Sequence, residues 1–143
     1  MYGYQGADGE RLLMIGKHYD LKHYNCAHFV AEWYQRLGIE IPKEGVFELS
    51  FLVWMRKHFT RVKTPVDNCL VLMTLRGERH IGVYANYGVY HNYKIGTKHG
   101  SVVHWDIGVI NRNYDEVTYW VWSPSDITKT LLPGNSQSTS TSE

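Results

Sequence analysis

Cysteine is scarce in this 143-residue chain, which has only Cys26 and Cys69. Two cysteines make no disulfide framework, so an apolar core must hold the fold; a single bridge between them stays open and would silence any thiolate chemistry. Charge of one sign is also lacking. Fifteen basic residues face 14 acidic ones, a formal net charge of +1, and no strong field gathers nucleic acid or an anionic membrane. No apolar run approaches the ~18 residues of a membrane span. The opening Met1-Tyr2-Gly3-Tyr4 has neither the basic nor the apolar region of a signal peptide. The expectation is a protein made in the cytoplasm that stays there or leaves inside something larger. What the chain has in plenty is aromatic surface, with five Trp and eleven Tyr in a sequence that is 43% hydrophobic. That composition suits one domain with a heavy core, sugar or peptide contacts, or a subunit interface.

The chain is organised around Tyr24-Asn25-Cys26-Ala27-His28-Phe29-Val30. From Cys26 the apolar residues Phe29, Val30, Trp33 and Leu37 recur at helical spacing, so the thiol points inward from the first turn. A helix N-terminus carries unpaired amides and about half a positive charge; both favour thiolate and leave donors for an oxyanion. Asn25 suits the N-cap, and Gly38 the stop after Leu37. A small buried hydrophobe in a core helix satisfies the same pattern, so other residues must decide.

Upstream, Gly9 to about Tyr19 reads as a short helix ending near Lys17-His18-Tyr19. A further helix is expected from Phe47 to about Phe59, its last turn carrying Arg56, Lys57 and His58 against the dipole. After Thr64-Pro65 the period changes. Cys69 to Met73 is a continuous apolar run typical of a strand buried on both faces. Arg79 to Ala85 and Val89 to Tyr93 flank a hairpin at Asn86-Tyr87-Gly88. Ser101 to Trp105 and Glu116 to Trp122 complete about five strands, the last with Val117, Tyr119 and Val121 on one face, and Ile107 to Tyr114 suits a turn of helix. Helices first and strands afterwards predict an α+β domain over residues 1–133, its N-terminal helices packed on an antiparallel sheet. Residues 134–143 are a Ser/Thr-rich flexible tail.

A cysteine nucleophile needs a base. His80 opens one hairpin strand and His91 lies on the next. A two- or four-residue loop puts both on one sheet face, whereas a three-residue loop without a bulge separates them. Gly82 shares the face of His80 and leaves room for close approach. Packing the Cys26 helix across that face aligns thiol, imidazole and imidazole, with His80 as base and His91 holding its tautomer. His18, His23, His58, His99 and His104 read as ordinary structural or surface residues. Cys26-x-His28 lacks the second pair that zinc requires, and His28 sits about 200° round the helix from the thiol, away from that row.

The order Tyr-Asn-Cys-x-His-Phe-Val, Leu-Gly-Ile-x-Ile-Pro, Pro-x-Asp-x-x-Leu-Val-Leu-Met, His-Ile-Gly-Val-Tyr and Gly-Val-Tyr-His resembles the NlpC-like cysteine peptidases, the NlpC and p-sixty superfamily, and most of all the short versions in bacteriophage tail tips. The resemblance covers about Gly16 to Tyr93. It implies a papain-like fold, hydrolysis of peptide bonds in the stem peptides of peptidoglycan, and no metal or cofactor. By the resemblance Cys26 matches the nucleophile, His80 the base, His91 the polar third member, and Tyr19 the tyrosine that lines the site. Asn25 stands where the family has Asp, Ala27-His28 where it has a small pair such as Ser-Gly, and Asn68-Cys69 where it has Gly-Asp. The cysteine segment is also similar to the lecithin:retinol acyltransferase group, a permuted relative, but there the histidine strand comes first.

Two functions follow as expectations. One is a virion peptidase that acts at the host cell wall, among other tail-tip or baseplate proteins, to help tail penetration and genome delivery. The other is a structural tail-tip component whose peptidase fold is retained but idle or occluded. Neither involves nucleic acid or membrane insertion.

Overall fold

A computed structural model describes residues 15–20, 24–41, 49–95 and 99–123. Helix α1 (Cys26–Gln35) starts where a capping box sets it. The Asn25 side-chain oxygen accepts from the amides of Ala27 and His28 at 2.9 and 3.1 Å, and His28 Nδ1 accepts from the Asn25 amide at 3.1 Å. Orphan donors of the first turn are thereby satisfied. Cys26, Phe29, Val30 and Trp33 form the buried face that the spacing predicts. Burying each of the large ones contributes about 1.5–3 kcal/mol.

Helix α2 (Leu49–His58) is followed directly by strand β1 (Phe59–Val62). The expected helix start at Phe47 lies outside the described residues. Its expected end near Phe59 is met to within one residue, and Phe59 itself pairs with Trp122 across the sheet. Rings of Trp54 and Trp122 lie 5.9 and 5.3 Å from that of Phe59, so the pairing takes the residue that helical spacing would have kept. The other strands are β2 (Leu70–Leu75), β3 (Glu78–Ala85), β4 (Gly88–Ile95), β5 (His99–Asp106) and β6 (Glu116–Trp122), with helix α3 (Ile107–Asn113) between the last two. The fold is α+β, with an antiparallel sheet of order β1-β6-β2-β3-β4-β5. It has six strands rather than five, β1 being the addition.

The expected helix from Gly9 to Tyr19 fails where it is described. Residues 15–20 turn and then run beside β5, with Gly16 donating to the Val102 carbonyl at 3.0 Å, Val102 to Lys17 at 2.9 Å and Tyr19 to Gly100 at 2.9 Å. A sheet edge offers a row of unpaired backbone groups, and a short helix with its costly nucleus does not compete. Residues 1–14 and the Ser/Thr-rich segment 134–143 lie outside the described residues.

On one face of the sheet, α1 packs against β3 and β4 and α2 against β1, over Leu70, Ile81, Val83, Tyr90 and Val102. On the other, Ile110 of α3 packs with Cys69, Val71, Met73 and Val89. Cys26 and Cys69 fall in different clusters, and both are free and buried, so no bridge removes the thiol. No helix among the described residues is long and apolar enough to cross a membrane.

The β3–β4 hairpin decides the parity. Asn86 and Tyr87 both have positive φ, 55° and 64°, and Ala85 pairs with Gly88, which is a two-residue type I′ turn. His80 and His91 therefore share a face. Gly82 shares it too, and a Cβ there would meet the Tyr90 carbonyl oxygen at 2.7 Å and the His91 Cβ at 2.9 Å. The neighbour that needs the glycine is β4 itself, rather than the cysteine helix. Gly82→Ala is expected to push β4 away and to cost about 1–3 kcal/mol, as overpacking does. Urea unfolding of the variant checks this, and an unchanged midpoint would refute it.

Candidate active site

Along β3 the residues alternate between the two faces. Ile81 is in the cluster under α1, whereas His80 pairs with Met73 of the cluster under α3. The histidines thus lie on the face away from α1, and the expectation that the helix packs across the histidine face is corrected. The thiol lies instead against the amide of Ile81.

The β3–β4 ladder is paired from Ala85↔Gly88 to Val83↔Tyr90. One and two steps further the same register would set Gly82 against His91 and Ile81 against Asn92. Tyr84 exchanges backbone bonds with residues 68 and 69 on the β2 side, so by alternation the Ile81 amide faces β4. That amide donates instead toward the Cys26 sulfur. The side chain of Asn92 likewise turns to the incoming chain, its Nδ2 donating to the carbonyls of Tyr24 at 2.7 Å and Asn25 at 3.3 Å. The N-terminus of α1 is wedged into a split between two neighbouring strands. This places the thiol at the amide of the residue after His80.

On the far side of the split, His80 Nε2 and His91 Nδ1 are 2.8 Å apart. A base role for His80 at Nδ1 requires its Nε2 to donate to His91. His91 is fully buried, edge-on to Trp105 at 4.6 Å, and its Nε2 finds no partner among the described residues. Tyr114 lies parallel to the His80 ring at 6.0 Å, with 13° between planes. Tyr19, held by its amide on Gly100, is buried beside the thiol.

Burial controls the charges. Cys26 is 1% exposed, and desolvation pushes its thiol up to about 11 from an ordinary 9.0, against the lowering pull of the Ile81, Cys26 and Ala27 amides. Desolvation likewise brings His80 down to about 4 from 6.5. His91 is held well below its ordinary range by burial and then by His80 and His104. Tyr19 is pushed up to about 12 by burial and the neighbouring Cys26, and Tyr114 is raised by burial, Tyr93 and Cys26. At neutral pH the site holds a buried thiol, a buried neutral His91 and a neutral, partly exposed His80. The amides at the helix start and at Ile81 can be offered to a developing negative charge, and His80 is the residue next to Ile81 on β3.

Among the four residues singled out in the sequence, His80 and His91 bond directly, Tyr19 lies within electrostatic reach of Cys26, and no bond joins Cys26 to either histidine among the described residues. His28 serves the helix cap, away from the histidines. His104 bonds the Ala85 carbonyl at 3.0 Å, and His58 lies between Trp54 and Trp122. His23 lies outside the described residues. Sequence reasoning missed Asn92 and Tyr114. Asn92 left a signal, since it is a polar residue at the core-facing parity of Tyr90; Tyr114 left none. Among the described residues, no group of three or more His, Cys, Asp or Glu is placed to hold a metal ion.

The shifts set a pH window. Below 6.5 an unfolded His80 takes up a proton that the folded one refuses down to about 4, so stability falls as pH drops through that range. Above 9 an unfolded Cys26 loses the proton that the folded one keeps to about 11, so stability falls again. The melting temperature is expected to be highest between about pH 6.5 and 9, with His80→Gln flattening the acid limb. A melting profile whose acid limb is unchanged in that variant would refute the assignment. Comparison with protein-family models finds no match, and comparison with curated proteins finds none.

Proposed function

We propose that this chain is a cysteine peptidase of the NlpC-like kind, hydrolysing peptide bonds in peptidoglycan stem peptides. The observation that supports the proposal is the His80–His91 hydrogen bond on one sheet face, with the Cys26 thiol at a helix N-terminus and against the amide of Ile81, the residue after His80. In this reading His80 Nδ1 takes the thiol proton as sulfur attacks the carbonyl carbon. The oxyanion is received by the Cys26 amide, with the Tyr19 hydroxyl the neighbouring candidate donor. His80 then protonates the leaving amine, and a water activated by the same ring hydrolyses the thioester. His91 keeps the ring in the required tautomer. The setting in a phage tail tip, with other tail-tip or baseplate proteins as partners and tail penetration and genome delivery as the purpose, rests on the resemblance of the sequence alone.

A second reading is a structural tail-tip component with an occluded peptidase fold. It is favoured by the near-complete burial of Cys26 and by a thiol pushed up to about 11. Digestion of purified peptidoglycan, with released peptides identified by mass spectrometry, separates the two. Release is expected from the wild type and none from Cys26→Ala. His80→Ala is expected to lower the rate on the order of 10²–10⁴-fold, the usual worth of a general base, with folding retained. If the folded wild type releases nothing, the structural reading replaces the enzymatic one.

A further inference from the structure

The polar atom nearest in chain order to the site that the mechanism leaves unused is the amide of Asn92. Its side chain is fully buried, and Nδ2 bonds the carbonyls of Tyr24 and Asn25 while Oδ1 finds no partner among the described residues. As a stabilising element this is a poor choice. Both carbonyls already accept a backbone bond, Tyr24 from Asp20 at 2.9 Å and Asn25 from Phe29 at 3.1 Å. Asn92 therefore rescues no orphaned acceptor, and it introduces a buried unpaired oxygen of its own, which carries a desolvation cost.

What the bonds do fix is direction. The carbonyl of Asn25 and the amide of Cys26 belong to one planar trans peptide and point opposite ways. A second donor on that carbonyl, beside the Phe29 amide, pins the peptide plane from outside the helix and so holds where the Cys26 N–H aims. From this we infer that Asn92 is a positioning residue, which acts through the Asn25–Cys26 peptide to aim the Cys26 amide at the oxygen of a tetrahedral adduct. The inference rests on the peptidase reading of the same site and adds a residue to it.

The test uses two reagents with different demands on that amide. Alkylation of Cys26 by iodoacetamide forms a carbon–sulfur bond and expels iodide, with no oxyanion. Acetamidoacetaldehyde adds reversibly: sulfur bonds the aldehyde carbon, the carbonyl π pair moves to oxygen, and the thiol proton ends on that oxygen. Only the second passes through an oxygen that the amide must receive. Both are read on the full chain at the Cys26 peptide by mass spectrometry, which separates it from Cys69, with the aldehyde measured by its protection against alkylation. In Asn92→Leu, matched in size, the aldehyde's inhibition constant is expected to rise about 10–100-fold, while the alkylation rate without aldehyde stays within about threefold. Asn92→Ala, measured the same way, serves if the leucine variant does not fold.

Aldehyde affinity that is unchanged, or that falls in step with alkylation, overturns the inference. So does a wild type that the aldehyde does not protect. Because neither reagent is a peptide, a wild type that leaves peptidoglycan intact while showing the split effect would remove the peptidase reading and leave the positioning role standing.

Discussion

The structure turns on the failure of two neighbouring strands to stay paired. Between β3 and β4 the ladder runs from the Asn86-Tyr87 turn to Val83↔Tyr90, and beyond that point the Ile81 amide, which faces β4, serves the incoming helix. A split ladder inside a sheet is costly unless every freed donor finds a partner. Here the Ile81 amide finds sulfur, and the Asn92 side chain finds two carbonyls. The glycine at the mouth of the split lets β4 bend close enough for His91 to bond His80 even as the ladder opens. Loss of regular pairing and the seating of the thiol at the Ile81 amide are one event in this fold.

That arrangement explains why a helix on one face serves histidines on the other. Ile81, Val83 and Tyr90 form the floor beneath α1, and Trp105, Tyr114 and Met73 surround the histidine pair on the opposite side. A thiol in mid-helix would be separated from the imidazoles by the whole thickness of the sheet. At the first residue of the helix the sulfur lies at the Ile81 amide, one residue along β3 from His80. The capping box of Asn25 and His28 matters for this reason, because it fixes which residue comes first.

The sequence was legible where one local rule acted alone. The spacing of Phe29, Val30 and Trp33 predicts α1 and its inward face, and the alternation of Val117, Tyr119 and Val121 predicts β6 with its register of faces. Parity alone predicts the meeting of His80 and His91 once the loop has two residues, and the Asn-Tyr pair at positive φ supplies that loop. Legibility ended where distant partners compete for a segment. Phe59 satisfies helical spacing but is captured by Trp122, and residues 16–19 satisfy a weak helical pattern but are captured by the edge of β5. The face on which α1 packs was misread for a related reason. Parity relates residues within a sheet but does not say which face a distant helix takes. Ile81, Val83 and Ala85, the larger apolar face, win α1.

The resting protonation of the site follows from the same geometry. Burial acts on each ionisable group separately, raising the thiol and lowering both imidazoles, so the site is neutral throughout. Three backbone amides nevertheless converge on the sulfur from a helix start and a freed strand edge. Those amides cost no rearrangement at the moment charge appears, whereas water would have to reorient. The resting site therefore holds no thiolate–imidazolium ion pair. The fixed amide dipoles at the split favour negative charge on the sulfur, and burial outweighs them in the resting state.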